Sequence, residues 1–487
     1  MVVGSGEVEG LTSRRWLILV VLGVTQLMVA LDATVINIAL PRAQLALHFS
    51  AADRQWPITA YALAFGSLLL LGGRLGDLWG RRTALVVGLV GFAGASAVGG
   101  AATSFAVLVG ARAVQGAFGA ILAPAALAAL TTTFTDQRER ARAFSIYGAL
   151  AGSGAAVGLI LGGALTQWAS WRWCLFINLV FAAVAIAGVI PLIESNRREH
   201  HAHLDVVGTV LASGGLFAIV YGLANAVTSS WGDSLTWASL VAGLVLLVAF
   251  VGWQRRSRYP LLPLRIVLER TRGGSFVALF ITAIGIFGVS LFLAYYLQNS
   301  LGYSPLRTGI AFLPMVAALA VSATLASARL LAISGPRPLV PAGMLLSALG
   351  MILFTRLSVQ ANYFENVLPG LVVLGLGLGL IFAPATASAT AAVVAADAGA
   401  ASATVNSAQQ IGGSVGVALL NTIAVSVTSR AMSHATGSSA ATLAAATLHG
   451  YAVAFWWAAG FFLVGGLATL ILLESGAVEL ADGVGAS

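Results

Sequence analysis

Asp32 and Arg112 are ionisable residues that fall inside long apolar stretches of this 487-residue sequence. A charge near the middle of a bilayer costs about 2.5 to 3.5 kcal/mol on insertion scales, so a charge kept there is a candidate for function. Asp32 lies about 8 residues before the end of its stretch at Leu40, and Arg112 about 7 after the start of its stretch at Phe105. At 1.5 Å per helical residue each sits about 10 to 12 Å deep, which allows the two to pair. A buried acid is a candidate proton carrier; a static ion pair between two helices is the alternative reading. Gln115, Gly116 and Gly119 follow Arg112 at i+3, i+4 and i+7 and share its helical face. Polar groups beside glycine there suggest a wet cavity wall closely approached by another helix.

Other groups offer mechanics rather than chemistry. The segment GGRLGDLWGRR holds Gly73, Arg74, Asp77, Gly80, Arg81 and Arg82 between two apolar runs. Its charges suit a latch that stabilises one conformation, or serve only to fix topology. Gly154, Gly158 and Gly162, spaced by four, form a small-residue stripe extended by Gly163, which lets helix backbones approach. Such a stripe is usually packing, and is also where a rocking bundle could slide. Glu199, His200, His201, His203 and Asp205 crowd one charged linker, where fixed ligand geometry is rare, so no metal site is expected. Trp168, Trp171, Trp173, Trp456 and Trp457 suit anchors at bilayer edges. Gly375, Gly377 and Gly379 have no lysine beside them, and neither a metalloprotease pair nor a nucleophile elbow stands out, so enzyme chemistry is not expected.

The elements that position these residues follow from composition. The chain is 59% hydrophobic and 9% charged, against roughly 25% charged in soluble domains, and its mean hydropathy is +0.94. A water-soluble enzyme and a disordered chain are both excluded. Fourteen apolar runs can be counted, near 16–40, 56–75, 83–102, 105–132, 141–165, 171–193, 206–227, 234–254, 273–298, 306–328, 338–358, 365–393, 400–429 and 450–473. The run at 400–429 is the weakest, being rich in Ser, Ala and Asn. All 25 cations are Arg, and the net charge of +8 is spread thinly between the runs, which argues against nucleic acid. Eighteen of these arginines fall on one side of the membrane and 6 on the other, with Arg112 within a span; this assigns both termini to the cytoplasm.

The segment Arg74 to Arg82 aligns without gaps on Arg329 to Arg337, with Arg, Leu, Gly and Arg in register. The repeat suggests two six-helix sets with two inserted helices between them. The expected organisation is a tail at 1–15, a first bundle at 16–193, linkers and two helices at 194–272, a second bundle at 273–473, and a tail at 474–487.

Several segments carry a resemblance. LDATVINIALP at 31–41, GGRLGDLWGRR, LVGARAVQGAFGA at 108–120, GAAVGLILGG at 154–163, SWRWCLFIN at 170–178, LDVVG at 204–208 and YLQNSLGYSPLRTGIAFLP at 296–314 occur in order. Together they resemble the fourteen-span drug/proton antiporters of the major facilitator superfamily over nearly the whole chain. The resemblance implies an all-α integral membrane protein, with two six-helix bundles plus two central helices, that works by proton-coupled efflux. It implies proton coupling through Asp32 and Arg112, a conformational role for Asp77, Arg81 and Arg82, and an antiporter stripe at Gly158, Gly162 and Gly163. Leu159 stands where such exporters usually have Pro, so the kink of that motif lacks its residue, and Leu179 and Val180 follow SWRWCLFIN where a Pro is common. No second intramembrane acid is clear in the later spans, so the expected substrate is amphipathic and neutral or singly cationic. The other expected partners are protons and the lipid bilayer, with no nucleotide or other cofactor. Export of one endogenous compound, such as a self-made antibiotic, a lipid precursor or a siderophore, is the nearest alternative, and a non-transporting receptor a remote one. The all-Arg usage points to a high-GC bacterial genome, hence to a bacterial cytoplasmic membrane.

Overall fold

The computed structural model describes residues 5–134, 136–193, 205–229, 231–360, 362–391, 393, 398–434 and 439–474. Among them every regular element is a helix. The first eight are α1 (Ser5–Leu47), α2 (Trp56–Trp79), α3 (Arg81–Gly100), α4 (Phe105–Thr133), α5 (Gln137–Trp168), α6 (Trp173–Leu192), α7 (Val206–Thr228) and α8 (Ser234–Arg256). After the short α9 (Leu264–Leu268) come α10 (Arg270–Tyr295), α11 (Pro305–Ala311), α12 (Leu313–Leu325), α13 (Leu331–Ser334), α14 (Pro336–Phe354), α15 (Leu368–Thr390), α16 (Ala398–Ser433) and α17 (Ala440–Leu472). Thirteen stretches among the described residues are long and apolar enough to cross a membrane. The fourteenth crossing is α5, 32 residues long, whose described apolar part is Ala156–Trp168. The Ser/Ala/Asn-rich run at 400–429 is helix throughout, inside the 36-residue α16. A helix satisfies its own backbone polar groups, which is why lipid tolerates such a sequence only in this form.

The helices outrun the apolar runs. α1 continues past Leu40 to Leu47 through Pro41, and α17 begins at Ala440, well before the apolar run at 450. Hydropathy marks the lipid-facing length, whereas backbone hydrogen bonding carries the helix on beyond it. The tenth crossing is broken: α11 and α12 meet at Phe312, two residues before Pro314, and a π-helical turn at Ala326–Leu330 precedes α13. Proline removes a backbone donor and crowds the preceding turn, which explains the first break. Span 5, with Leu159 in place of Pro, is one unbroken helix. Trp168, Trp173, Trp456 and Trp457 are exposed and Trp171 is buried. Trp456 and Trp457 lie near the middle of α17, about two turns inside the apolar run that begins at 450.

α1 to α6 pack into one bundle, with close pairs α2/α4, α1/α5, α3/α4 and α3/α6. α10 to α17 form the second, through α14/α15, α12/α15, α10/α16, α14/α17 and α16/α17. The inserted pair α7/α8 does not stand apart. α7 lies against α2 and α16, one helix from each bundle, and Thr422 Oγ1 donates to the Leu223 carbonyl at 2.9 Å. The internal repeat is visible in the backbone: Gly80 between α2 and α3 has φ +82°, and its counterpart Gly335 between α13 and α14 has φ +70°. Only glycine takes such backbone without strain, so the recurring Gly is a turn requirement.

The bundles meet along α2 and α16, where Ser407 Oγ donates to the Gly66 carbonyl at 2.9 Å in mid-helix, and near the face opposite the arginine-rich loops. There Gln298 Nε2 donates to the Ile38 carbonyl at 3.0 Å and Tyr295 OH to Gln44 Oε1 at 2.6 Å. A Cβ on Gly163 would fall 2.6 Å from Leu306 Cα, so α5 and α11 meet backbone to backbone. The chain is therefore closed on its arginine-poor face. Gly163→Ala is expected to hold that face apart, raising the labelling rate of a cysteine placed at Gln298; an unchanged rate would show that the contact adapts.

Asp205, just before α7, fastens the inserted pair. Its carboxylate accepts from Gly208 N at 2.8 Å, Trp253 Nε1 at 2.7 Å, Gln254 Nε2 at 2.7 Å and Leu261 N at 3.3 Å. Burial by itself would raise its pKa, but these donors hold it below the ordinary carboxylate value. A depressed folded-state pKa gives stability that is present above the unfolded pKa and lost as pH falls through the folded one. Asp205→Asn should therefore cost about 1 to 3 kcal/mol at neutral pH. The gap from wild type should narrow in melting curves taken below about pH 3.9.

Candidate functional site

Asp32 on α1 and Arg112 on α4 meet as depth alone suggested. Arg112 Nη1 lies 2.6 Å from Asp32 Oδ2, and each side chain is 1% exposed. Helix α4 is started by Ser104, whose side chain accepts from Val107 N. Two turns later this geometry points Arg112 into the bundle, with Gln115 one turn further on. Gln115 Nε2 donates to Asp32 Oδ1 at 2.8 Å, and its Oε1 accepts from Arg112 Nη1 at 2.6 Å.

Three side chains and one backbone carbonyl went unassigned in the sequence. Asn178 on α6 donates from Nδ2 to Asp32 Oδ1 at 2.8 Å. Ser96 Oγ on α3 accepts from Gln115 at 2.6 Å and from Asn178 at 3.0 Å. Arg112 stacks its guanidinium 4.3 Å from the Tyr61 ring centre on α2, and its Nε donates to the Pro57 carbonyl at 3.0 Å. Asn178 ends the segment SWRWCLFIN, so a polar residue closing an apolar motif was the available signal; Ser96 and Tyr61 offered none. Five helices of the first bundle thus join one network around Asp32, with α4 and α6 donating to its carboxylate and α2 and α3 holding those donors. Both of its oxygens accept hydrogen bonds, Oδ1 from Gln115 and Asn178 and Oδ2 from Arg112.

The glycines divide by neighbour. A Cβ on Gly116 would strike the Tyr61 carbonyl, and one on Gly119 would lie 2.8 Å from Phe65 Cδ2. Both glycines are buried helix contacts, so they let α2 close on α4 and form no cavity wall, because the space beside them is filled by Phe65, Phe92 and the α2 backbone. Gly154 faces Ala30, Gly158 faces Thr34 and Leu31, and Gly162 faces Val35, all on α1 around Asp32. The stripe presses α5 on the helix that carries the acid, within one bundle; Gly163 alone of the four faces the other bundle.

In the loop segment, Arg81 Nη1 donates to Thr132 Oγ1 at 2.5 Å, tying α3 to the end of α4. Gly73 faces Pro124 of α4, Arg74 is exposed and Arg82 half-buried. The side chain of Asp77 lies outside the described residues, as do Glu199, His200, His201 and His203. Among the described residues no cluster of His, Cys, Asp and Glu could hold a metal.

Residues 22–417 match the Major Facilitator Superfamily. The chain is 48% identical to the puromycin resistance protein pur8 of Streptomyces alboniger, over 100% of this chain and 96% of that protein. It is 35% identical to a tetracenomycin C resistance and export protein of Streptomyces glaucescens, over 86% of this chain and 77% of that one. A bacterial homologue of the human lysosomal transporter Spinster, solved inward-facing and unoccupied, superposes with a TM-score of 0.64 at 16% identity, covering 94% and 97% of the two chains.

The site makes a stability test possible. Arg112→Gln strands a buried carboxylate and should cost about 3 to 5 kcal/mol. Adding Asp32→Asn should restore much of it, so thermal unfolding of the two single variants and the double variant in nanodiscs should show strong coupling. Additive losses would mean that the pair contributes nothing jointly.

Proposed function

We propose, for a chain that belongs to the Major Facilitator Superfamily and is a multi-pass transporter rather than an enzyme, that it exports small amphipathic drugs or antibiotics in exchange for protons. The observation that carries this reading is the sealed Asp32–Arg112 pair, held by Gln115 and Asn178 in a bundle with a large apolar core. Burial alone demands donors around the acid; the transport reading is supported by an arrangement in which three side chains are oriented to one carboxylate, so that a single proton would act on all of them.

The mechanism is alternating access. The two bundles rock about the cavity between them, and the closed arginine-poor face is one end of the cycle. α1 carries Asp32 and also supplies Ile38 and Gln44 to the inter-bundle contacts. Protonation of Asp32 frees Arg112 and loosens its hold on the Pro57 carbonyl at the start of α2, so a proton acts on two helices that close the face. One proton moving down about 150 mV supplies roughly 3.5 kcal/mol, enough for a few-hundred-fold substrate gradient. Nucleotide is not needed. Positive-inside asymmetry supports an orientation with the arginine-rich loops and both termini in the cytoplasm of a bacterial cell. No second acid is clear in the interior of the later spans, where Glu365 sits exposed at the start of its span, and this favours a neutral or singly cationic substrate.

A narrower reading has its own support. The pur8 and tetracenomycin C proteins are each named for one antibiotic, so this chain is equally suited to exporting one self-made compound. The test is substrate-triggered proton release from acid-loaded proteoliposomes, with a panel of cationic dyes and neutral antibiotics. Wild type should collapse the pH gradient, and Asp32→Asn should insert normally yet respond to none of the compounds. Full exchange by Asp32→Asn would overturn the role of that acid. Responses to several compounds support a multidrug exporter, and a response to one supports the dedicated exporter.

A further inference from the structure

Arg54 lies in the short turn Asp53–Gln55 before α2 and is only 4% exposed. Its Nε donates to Asn421 Oδ1 of α16 at 2.7 Å and its Nη1 to Tyr451 OH of α17 at 2.9 Å. Three rings surround the guanidinium carbon: Tyr295 at 4.8 Å, Tyr451 at 5.3 Å and Phe292 at 5.4 Å from their centres. Among the described residues no carboxylate pairs with it; the neighbouring Asp53 instead accepts from Ser50 Oγ at 2.7 Å. A buried cation without a counter-ion, ringed by aromatic faces, is held by ring quadrupoles and neutral acceptors.

Every member of the cage belongs to the second bundle, and the cation belongs to the first. The rings are in part held by their own bundle, and Asn421 by the segment that carries Arg54. Phe292 stacks on Tyr451 at 5.0 Å, Phe455 meets Phe292 edge-on at 5.9 Å, and Asn421 Nδ2 is fixed by the carbonyls of Ala51 and Ala52 at 3.3 and 3.2 Å. The Asn421 bonds, and the Tyr295 OH bond to Gln44 Oε1, cross to the first bundle. Separation of the bundles at this face would withdraw the guanidinium and leave Phe292 stacked on Tyr451, while Tyr295 and Asn421 give up their bonds to the first bundle.

We propose that Phe292, Tyr295 and Tyr451, with Asn421, form a binding site for an organic monocation of guanidinium or alkylammonium type, which Arg54 occupies as a tethered ligand while the arginine-poor face is closed. Arg54 and a free cation compete for one cage: the tethered cation closes the face, and a free one enters only when Arg54 has left. The proposal rests on the transport reading for its place in the cycle, but not for the binding itself.

The test uses guanidinium ion as the probe and urea, its neutral counterpart of the same shape, as the control, with ionic strength matched by sodium chloride. In full-length protein in nanodiscs, Arg54→Ala should melt below wild type. Guanidinium at about 10 mM should raise its melting temperature by about 2 °C or more, by mass action on the folded state. Wild type should not respond, because its own guanidinium fills the cage. Urea should have no effect, and Arg54→Ala combined with Tyr451→Ala should lose the response. Should Arg54→Ala not be recovered folded, Arg54→Gln carries the same measurement, since it too removes the charge. Equal shifts in wild type and variant, no shift in the variant, or an equal shift with urea would each overturn the cage. Loss of this binding with proton exchange intact removes the cage alone, whereas binding without exchange leaves the cage and removes the antiport reading.

Discussion

A charge removed from water must be met by partners, and the first bundle is organised around that requirement. Asp32 cannot sit among apolar helices alone, so Arg112, Gln115 and Asn178 reach it from α4 and α6. Ser96 and Tyr61 then hold those partners from α3 and α2. The low dielectric that makes the bare charge costly also strengthens each contact once it is made. A network of this kind is highly sensitive to one proton, because that proton changes the charge to which every other member is oriented.

Close helix approach brings the partners within reach. Gly116 and Gly119 let α2 and α3 close on α4, while Gly154, Gly158 and Gly162 let α5 press on α1 on either side of Asp32. In lipid there is little hydrophobic drive between helices, so small residues and dispersion contacts decide how near they come. The glycines thus do at the level of backbone what the polar side chains do at the level of charge. Gly163 and Gly309 extend the same device across the bundle boundary, where α5 and α11 meet.

The two buried arginines solve the same physical problem differently. Arg112 has a carboxylate and stays within its bundle, where under the proposed function a change of protonation releases it. Arg54 has rings and neutral oxygens, and its partners lie in the opposite bundle, so it is released only by movement. The first contact is sensitive to chemistry and the second to conformation. They are joined through the start of α2, where Arg112 holds the Pro57 carbonyl three residues beyond Arg54. The inserted helix α7, packed on both α2 and α16, adds a third contact across the same seam.

Much of this was legible in one dimension. An acid and an arginine inside apolar runs are costly wherever they pack, so Asp32 and Arg112 could be selected before any contact was known. Helix existence followed from hydropathy, and the paired loops from a nine-residue repeat whose glycines both prove to need positive φ. The partners were a different matter. Asn178, Ser96 and Tyr61 are ordinary residues on three separate helices, and nothing in their spacing says that they face one carboxylate. Arg54 reads as a loop arginine beside an acid; its burial among rings of the other bundle depends on how the two bundles meet. Local sequence determines what a residue costs to bury and which backbone it permits, because these depend on the residue and its near neighbours. Which side chains share that cost is decided by helices distant in sequence, and only tertiary packing brings them together.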